Sequence, residues 1–337
     1  MTEATIRVMS PEEIVAGGAG QTPFIVWPRR EAVFADRSLR ARQLAAGHPM
    51  RDFLLFVADI AQQQHELLQS YPPVRLPDAA QLDQAAADGV APLRATQWPR
   101  DPAWREGLRS LVAAVRARTA EGSAAAGTLA ALAAASDEQI ELQADRLLNG
   151  VMTGLDLGAA PLIAAALQVY WTHLVLEVQR AHAGAAPAPF GRVRDAGTCP
   201  CCGTPPTASV TRIGADVSGQ RYLHCALCST QWHMVRIQCA RCGSNEHIAY
   251  QALEPLAGAE VLATGPARGA VQAETCDSCG HYLKIVHMTK DPQVDPVVDD
   301  LASVSLDLLV ADTGKQRHGV NLMLLFGDSS PPDGGGP

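Results

Sequence analysis

Apolar side chains recur every three or four residues through much of the first 183 positions, which is the spacing of amphipathic α-helices. Pro49 opens one such run and Pro72-Pro73 ends it, because proline is tolerated in a first helical turn but not in a helix interior. Ser136, followed by Gln139, forms a capping-box pattern that predicts another helix start. The apolar positions of these predicted helices include Phe53, Phe56, Val57, Ile60, Leu67, Leu68, Trp104, Leu108, Leu111, Val112 and Val115.

The longest apolar run, Ala159 to Ala181, predicts the central helix of a bundle. It contains Gln168, His173 and Glu177, and these polar side chains favour a buried helix over a membrane span. A shorter helix is predicted to begin at Asp78 and to end at Gly89. The first part of the chain is therefore expected to be an all-α bundle without a membrane span.

The pattern changes after a linker at 184–198 that loses helical periodicity. Short β-rich runs then alternate with turns, and Val297 to Val310 is predicted to form an amphipathic helix. That helix is expected to place on one side Leu301, Val304, Leu308 and Leu309. A Gly-, Pro- and Ser-rich tail, 327–337, is predicted to be disordered. The predicted strands are Thr207–Ile213, Arg221–Leu223, Gln231–Ile237, Ile248–Leu253 and Tyr282–Met288.

Charge and the first residues narrow the class of protein. The chain has 27 Lys and Arg against 35 Asp and Glu, a net charge of −8, which argues against nucleic acid as a partner. Met1 to Ser10 lacks the apolar region of a secretory signal. Arg29-Arg30 resembles a twin-arginine signal, but Glu31 and a charged, helix-like stretch follow where export would require an apolar run. A cytoplasmic protein is expected.

All nine cysteines lie between positions 199 and 279, and eight of them form four C-x-x-C pairs. Two thiolates at this spacing can bind one metal ion from a tight turn, and two such turns complete a tetrahedral site. Tandem order predicts one site in each half of the region, while a cross-braced arrangement would let the first and third pairs share a metal. The predicted ligands are Cys199, Cys202, Cys225, Cys228, Cys239, Cys242, Cys276 and Cys279.

The metal in these sites is expected to be zinc or iron, both of which accept four thiolates. Cys201, the ninth cysteine, is interpreted as a bystander, and the nearby histidines as neighbours of the sites rather than ligands. Two complete tetrads leave no coordination position for an activated water, which argues against hydrolytic catalysis. No catalytic or cofactor-binding constellation of the GxGxxG, Walker A or HExxH type is present in the sequence.

Together the patterns predict an α+β protein. An N-terminal all-α helical bundle is followed by two tandem small β modules, of the rubredoxin-like or zinc-ribbon type, and by a C-terminal helix. The expected divisions are a helical domain (1–183), a linker (184–198), a first four-cysteine module (199–237), a second four-cysteine module (238–290), a C-terminal helix and packing segment (291–326) and the tail (327–337).

The flanks of the cysteine pairs are specific enough to resemble a known family. The run from Arg221 to Cys228, continuing through Gln231–Arg236 to Cys239, is similar to the formate dehydrogenase accessory protein family, FdhE. The same holds for Cys199-Pro200 with Cys202-Gly203, for Glu274–Lys284 and for Lys290-Asp291-Pro292 with Asp299–Ala302. The resemblance is strong over about 199–310. Over the helical first part it is weaker and rests on the length and general character of that region.

The resemblance implies a non-enzymatic, cytoplasmic maturation factor that binds the catalytic subunit of respiratory formate dehydrogenase before its export. It also implies rubredoxin-type iron bound by the eight paired cysteines, with zinc as the other metal, and dimerisation. Two alternatives stay open at this point. One is a rubredoxin-like iron electron carrier or oxidoreductase, and the other is a zinc-ribbon nucleic-acid-binding protein, which the acidic balance disfavours.

Overall fold

The computed structural model of the chain describes residues 22–185, 188–213, 219–253 and 269–325. The predicted disordered tail, 327–337, and two residues of the predicted linker lie outside the described residues. The fold is α+β, as predicted, with a helical N-terminal region and a C-terminal region built on a sheet.

The N-terminal region begins with a two-residue strand and continues as helices. The capping box predicted at Ser136 is present, because its hydroxyl accepts from the backbone of Gln139, whose side chain accepts from the backbone of Ser136. Asp78 and Gln81 form a second one. The elements are β1 (Ile25–Val26), α1 (Val33–Ala45), α2 (Arg51–Gln69), α3 (Ala79–Asp88), α4 (Ala103–Arg116), α5 (Ala124–Ala134), α6 (Asp137–Leu148) and α7 (Ala160–Ala181).

Helix α7 runs through the centre of the helical region, as its apolar sequence predicts. It is the one helix among the described residues that is long and apolar enough to cross a membrane, and 83% of its apolar window is buried inside the protein. The predicted apolar face of α4 is likewise buried, including Trp104 and Leu108. This burial is what a core helix of a bundle requires.

The described strands form one sheet rather than two separate ones. Their order is β1-β4-β3-β2-β7-β6-β5, with β8 added beside β7. Neighbours are antiparallel except for β2 with β7 and β7 with β8, which are parallel. The parallel pairing of β2 with β7 joins the two cysteine regions through backbone hydrogen bonds. The remaining strands are β2 (Pro206–Thr211), β3 (Arg221–Cys225), β4 (Gln231–His233), β5 (Ile248–Gln251), β6 (Val271–Cys276), β7 (His281–His287) and β8 (Gln316–Arg317).

The C-terminal helix differs from its prediction. Instead of one helix over Val297 to Val310, the structure has α8 (Val298–Ala302) and α9 (Val304–Ala311), which meet at Ser303. Because α9 begins anew after Ser303, the buried side of α8 does not continue to Leu308 and Leu309, which are 62% and 56% exposed. The predicted single apolar side was therefore wrong at these two leucines.

A buried ion-pair network holds these helices against the sheet. The ammonium group of Lys284 on β7 lies 3.0 Å from the Asp300 carboxylate and 2.5 Å from that of Asp307. Arg317 contacts both aspartates as well. Lys284 also donates to the backbone carbonyl of Ser303, so the network includes the point at which the helix breaks.

Candidate metal centres

The first cysteine cluster consists of Cys199, Cys202, Cys225 and Cys228, whose sulfur atoms all lie within 4.8 Å of one another. The two closest contacts, between Cys202 and Cys225 and between Cys199 and Cys228, are 3.3 and 3.5 Å. All four side chains are buried. Two of them follow the helical region in a turn before β2, while Cys225 ends β3.

Tight turns aim the sulfurs of this cluster inward. After Cys202, Gly203 has a positive φ of 72° and its N–H donates to the carbonyl of Cys199. The backbone N–H groups of Leu227 and Cys228 donate to the Cys225 sulfur at 3.3 and 3.4 Å. Such bonds stabilise a thiolate and orient a metal ligand. Ser229, which stands where the other pairs have glycine, adopts the same left-handed backbone with a φ of 57°.

The second cysteine cluster consists of Cys239, Cys242, Cys276 and Cys279. Its sulfurs are 3.7 Å apart between Cys239 and Cys279 and 3.8 Å apart between Cys242 and Cys276. Cys276 ends β6, and the short turn to β7 carries Cys279. In contrast to the first cluster, Cys242 is exposed to solvent and Cys279 is half-buried.

Both clusters fit a tetrahedral metal ion. Four sulfurs about 2.3 Å from a central metal are about 3.8 Å from one another, close to the separations of the second cluster and slightly longer than those of the first. Burial raises the pKa values of the Cys199 and Cys225 thiols well above the usual range of a cysteine thiol. A bound cation removes that penalty because coordinating thiols are deprotonated. These two groups are therefore able to hold metal ions.

The grouping follows tandem order. The first and second C-x-x-C pairs meet in one cluster and the third and fourth in the other, so the cross-braced arrangement does not occur. Cys201 is buried beside the first cluster but is not part of either four-sulfur group in the described part of the chain. The histidines of this region are also outside both groups. His281, for example, contacts the carbonyl of Cys279 through its ring Nδ1 at 2.8 Å.

The first cluster is attached to the helical region by hydrogen bonds that the sequence analysis missed. The backbone N–H of Leu93 donates to the Cys201 carbonyl, and that of Ala95 to the Cys202 carbonyl. From α7, the Gln168 side chain donates to the carbonyl of Ala226, which lies inside the second C-x-x-C turn, at 2.8 Å. Gln168 is a polar residue in an apolar helix, and this was the one feature of the sequence that could have indicated a contact between α7 and the first cluster.

Comparison with known proteins gives matches over nearly the whole chain. The family model described as "FdhE, N-terminal" matches residues 22–186, "FdhE, central domain" matches 198–236 and "FdhE, C-terminal domain" matches 237–324.

Individual relatives and a solved structure agree with these matches. A protein of Serratia proteamaculans named "Protein FdhE homolog" is 37% identical over 328 residues, which is 96% of this chain and 99% of the relative. A protein of the same name from Yersinia enterocolitica is 37% identical over 310 residues, 92% of this chain and 94% of the relative. The crystal structure of the FdhE protein from Pseudomonas aeruginosa superposes with a TM-score of 0.74 at 36% identity, covering 91% of this chain and all of that one.

Proposed function

Since the chain belongs to the FdhE family, we propose that it is an accessory factor that binds the catalytic subunit of respiratory formate dehydrogenase and is needed for that subunit's assembly and activity. The observation that carries the proposal is the similarity over all three FdhE segments, which includes both cysteine clusters. In this proposal the factor works in the cytoplasm, before the subunit is exported, and has no catalytic residues of its own.

The eight paired cysteines are proposed as the ligands of two metal ions, with iron favoured by the family resemblance and zinc as the alternative. Zinc would supply a redox-inert structural centre, whereas iron would add exchange of one electron. The protein's own contribution differs between the clusters, because the first excludes water from all four sulfurs and the second leaves Cys242 exposed. The domain division predicted above is kept as part of the proposal. The gap between the family segments that end at 186 and begin at 198 supports the linker, and the boundary between 236 and 237 supports the division of the two cysteine modules.

A second candidate function is electron transfer by iron in the second cluster. The exposed Cys242 favours it, because electrons pass most readily to a partner from a centre close to the surface. A nucleic-acid-binding role is disfavoured by the net charge of −8. Homodimer formation, which the resemblance implies, stays a prediction.

The test of the main proposal combines binding with a phenotype. The anaerobically purified protein is mixed with purified catalytic-subunit precursor, and complex formation is measured by light scattering after gel filtration. We expect a complex, and we expect a deletion strain to lose formate oxidation until the gene is restored. Absence of a complex together with normal formate oxidation in the deletion strain would contradict the proposal. A reversible one-electron potential in a protein that neither binds the precursor nor affects its activity would favour the electron carrier.

A further inference from the structure

A cleft of about 430 Å³ lies between helix α1 and one face of the sheet. We call it the α1 cleft. The sheet side is formed by side chains of β1 to β4, the helix side runs from Ala32 to Gln43, and the segment 288–296 closes a third side. The cleft lies beside the first cysteine cluster, because its lining includes His224 and Ser229, which flank Cys225 and Cys228 in the chain. None of the cysteines lines the cleft. Its volume falls in the range of ligand-binding pockets.

Arg212 is a positive charge on the sheet side of this cleft that no carboxylate neutralises among the described residues. Its Nη1 donates to Gln231 Oε1 at 2.6 Å, and its buried Nε–H has no acceptor in the described part of the chain. Burial lowers the pKa of Arg212, Tyr222 acts in the opposite direction, and the positive charge of Arg29 lowers it further. Arg29 is itself paired with Asp36 at 3.5 Å, so Arg212 is the cation of this cleft for which a bound anion would supply both a countercharge and the missing hydrogen-bond acceptor.

His224 supplies a second unsatisfied donor. Gln231 accepts from Arg212 through Oε1, so its amide nitrogen faces Nδ1 of His224 at 3.3 Å. The ring therefore accepts at Nδ1 and carries its proton at Nε2 in the neutral form. That Nε2 has no hydrogen-bond partner among the residues that the structure describes, although the residue is only 4% exposed. A buried donor without an acceptor is costly, and a ligand in the cleft would supply the acceptor that the described residues do not.

More than half of the remaining lining residues are apolar, and the two carboxylates among them, Asp36 and Asp295, are paired with arginines. Val26 and Val210 lie on the sheet side, Val33 on the helix side, and Met288 and Val294 on the third side. A single small oxyanion would satisfy the donors but leave these walls and most of the volume unused. The combination of an apolar wall with two unsatisfied donors among the lining residues fits a ligand that carries a carboxylate on an apolar body.

We propose that the α1 cleft binds an extended, mainly apolar peptide segment of the formate dehydrogenase catalytic subunit, with one carboxylate of that segment on Arg212 and His224. This inference rests on the proposed function. The planar guanidinium of Arg212 suits a carboxylate, since the two groups can share parallel N–H···O bonds. The neighbouring cluster would fix the turn that follows His224 and so keep the imidazole in place.

The test uses overlapping synthetic peptides that cover the catalytic subunit as the probe, bound to the full-length, metal-loaded protein. We expect a small set of peptides to bind, and we expect Asp→Asn or Glu→Gln replacement in those peptides to weaken binding about tenfold or more. R212Q should weaken binding of the same peptides to a similar degree, and R212K should restore part of it. The matched control is R116Q, an exposed arginine on α4 away from the cleft. Metal content and thermal unfolding of each variant show whether it is folded.

The outcomes separate this inference from the proposed function. If the wild-type protein binds the whole catalytic subunit but R212Q binds it and its peptides equally well, the cleft is not the binding site and the inference is wrong. If only formate or phosphate binds and no peptide does, a small-ion site replaces the peptide site. If the wild-type protein binds neither subunit nor peptides, the proposed function fails together with the inference.

Discussion

The sulfur atoms of Cys202 and Cys225 lie 3.3 Å apart, although the two residues are 23 positions apart in the chain. Between them the chain forms β2 and returns antiparallel to it along β3, so the pairing of these two strands is what brings the two sulfur atoms together. Both cysteines belong to the same buried core as helix α7. Metal binding is therefore expected to stabilise more than the turn that carries the ligands.

Replacing Cys225 and Cys228 by Ser should remove one of two metal ions and lower the thermal stability of the whole protein. A structural four-thiolate site contributes on the order of 10 kcal/mol, so the helical region should lose the support of the loops that it contacts. Elemental analysis and thermal unfolding followed by circular dichroism measure the two effects. The control is Cys201→Ala, which should keep both metals because Cys201 is outside the four-sulfur group. Retention of two metals in the double variant would show that the ligand assignment is wrong.

The two clusters should release their metals to a chelator at different rates. We expect the second cluster to lose its metal at least about tenfold faster, because Cys242 is exposed whereas the first cluster is shielded from water. The measurement is the time course of metal transfer to a coloured chelator. We expect two phases of equal amplitude, one for each cluster. In a Cys239→Ser/Cys242→Ser variant the fast phase should be absent and the slow phase unchanged. A single phase in the wild-type protein would contradict the prediction.

Gln168→Leu should destabilise the protein by about 1–3 kcal/mol, because it leaves the buried carbonyl of Ala226 without its hydrogen bond. The same change also removes one of the two acceptors of the Gln64 side chain, which keeps its hydrogen bond to the Ala165 carbonyl. Urea unfolding measures the free-energy difference. Gln84→Leu, on the exposed surface of α3, is the matched control and should change stability by less than about 0.5 kcal/mol. Equal values for the two variants would show that the link from α7 to the first cluster contributes nothing.

His173 should make the protein less stable in mild acid. Burial, and then the charge of Arg30, lowers its pKa from 6.5 to about 4, although Glu177 acts in the opposite direction. The ring of Tyr71 packs against it, with the two ring centroids 4.8 Å apart. Between these two pH values the unfolded chain binds a proton that the folded chain does not, so stability falls as the pH is lowered.

Urea unfolding of the wild-type protein at pH 7.5 and pH 5 checks this dependence. In His173→Asn the loss of unfolding free energy between the two pH values should be smaller by about 2 kcal/mol. His182→Asn, just beyond the end of α7, should keep the full loss. An unchanged loss in His173→Asn would contradict the assignment.

The sequence was sufficient for features that depend on local chemistry. The capping box at Ser136, the apolar face of α4 and the buried helix α7 follow from side-chain spacing, and all are present. The tandem grouping was favoured from the order of the cysteine pairs, and the structure has it. The Ala-rich α5 was missed because its sequence offers no polar face from which a helical period could be recognised.

Features that depend on partners far apart in the chain could not be predicted. Arg37 and Arg40 look like solvent-facing residues of α1, yet both are buried. Their charges are matched by aspartates about 250 positions later, of which Asp299 accepts two bonds from Arg40. Similarly, the predicted C-terminal helix divides at Ser303. Its hydroxyl donates to the carbonyls of Asp299 and Asp300, an interaction that bends helices, and it also contacts Lys284, which lies on a distant strand that the sequence pattern does not connect with it.

The parallel pairing of β2 with β7 has a consequence for synthesis on the ribosome. Strand β3 is synthesised soon after β2 and can pair with one edge of it early. The other edge of β2 pairs with β7, so Ser209 has no partner there until Ile285 has been synthesised. Until that later stretch has left the exit tunnel, the nascent chain presents an open backbone edge in the middle of its future sheet. A truncated product ending before residue 280 should therefore be prone to aggregate, even with its first four thiols already loaded.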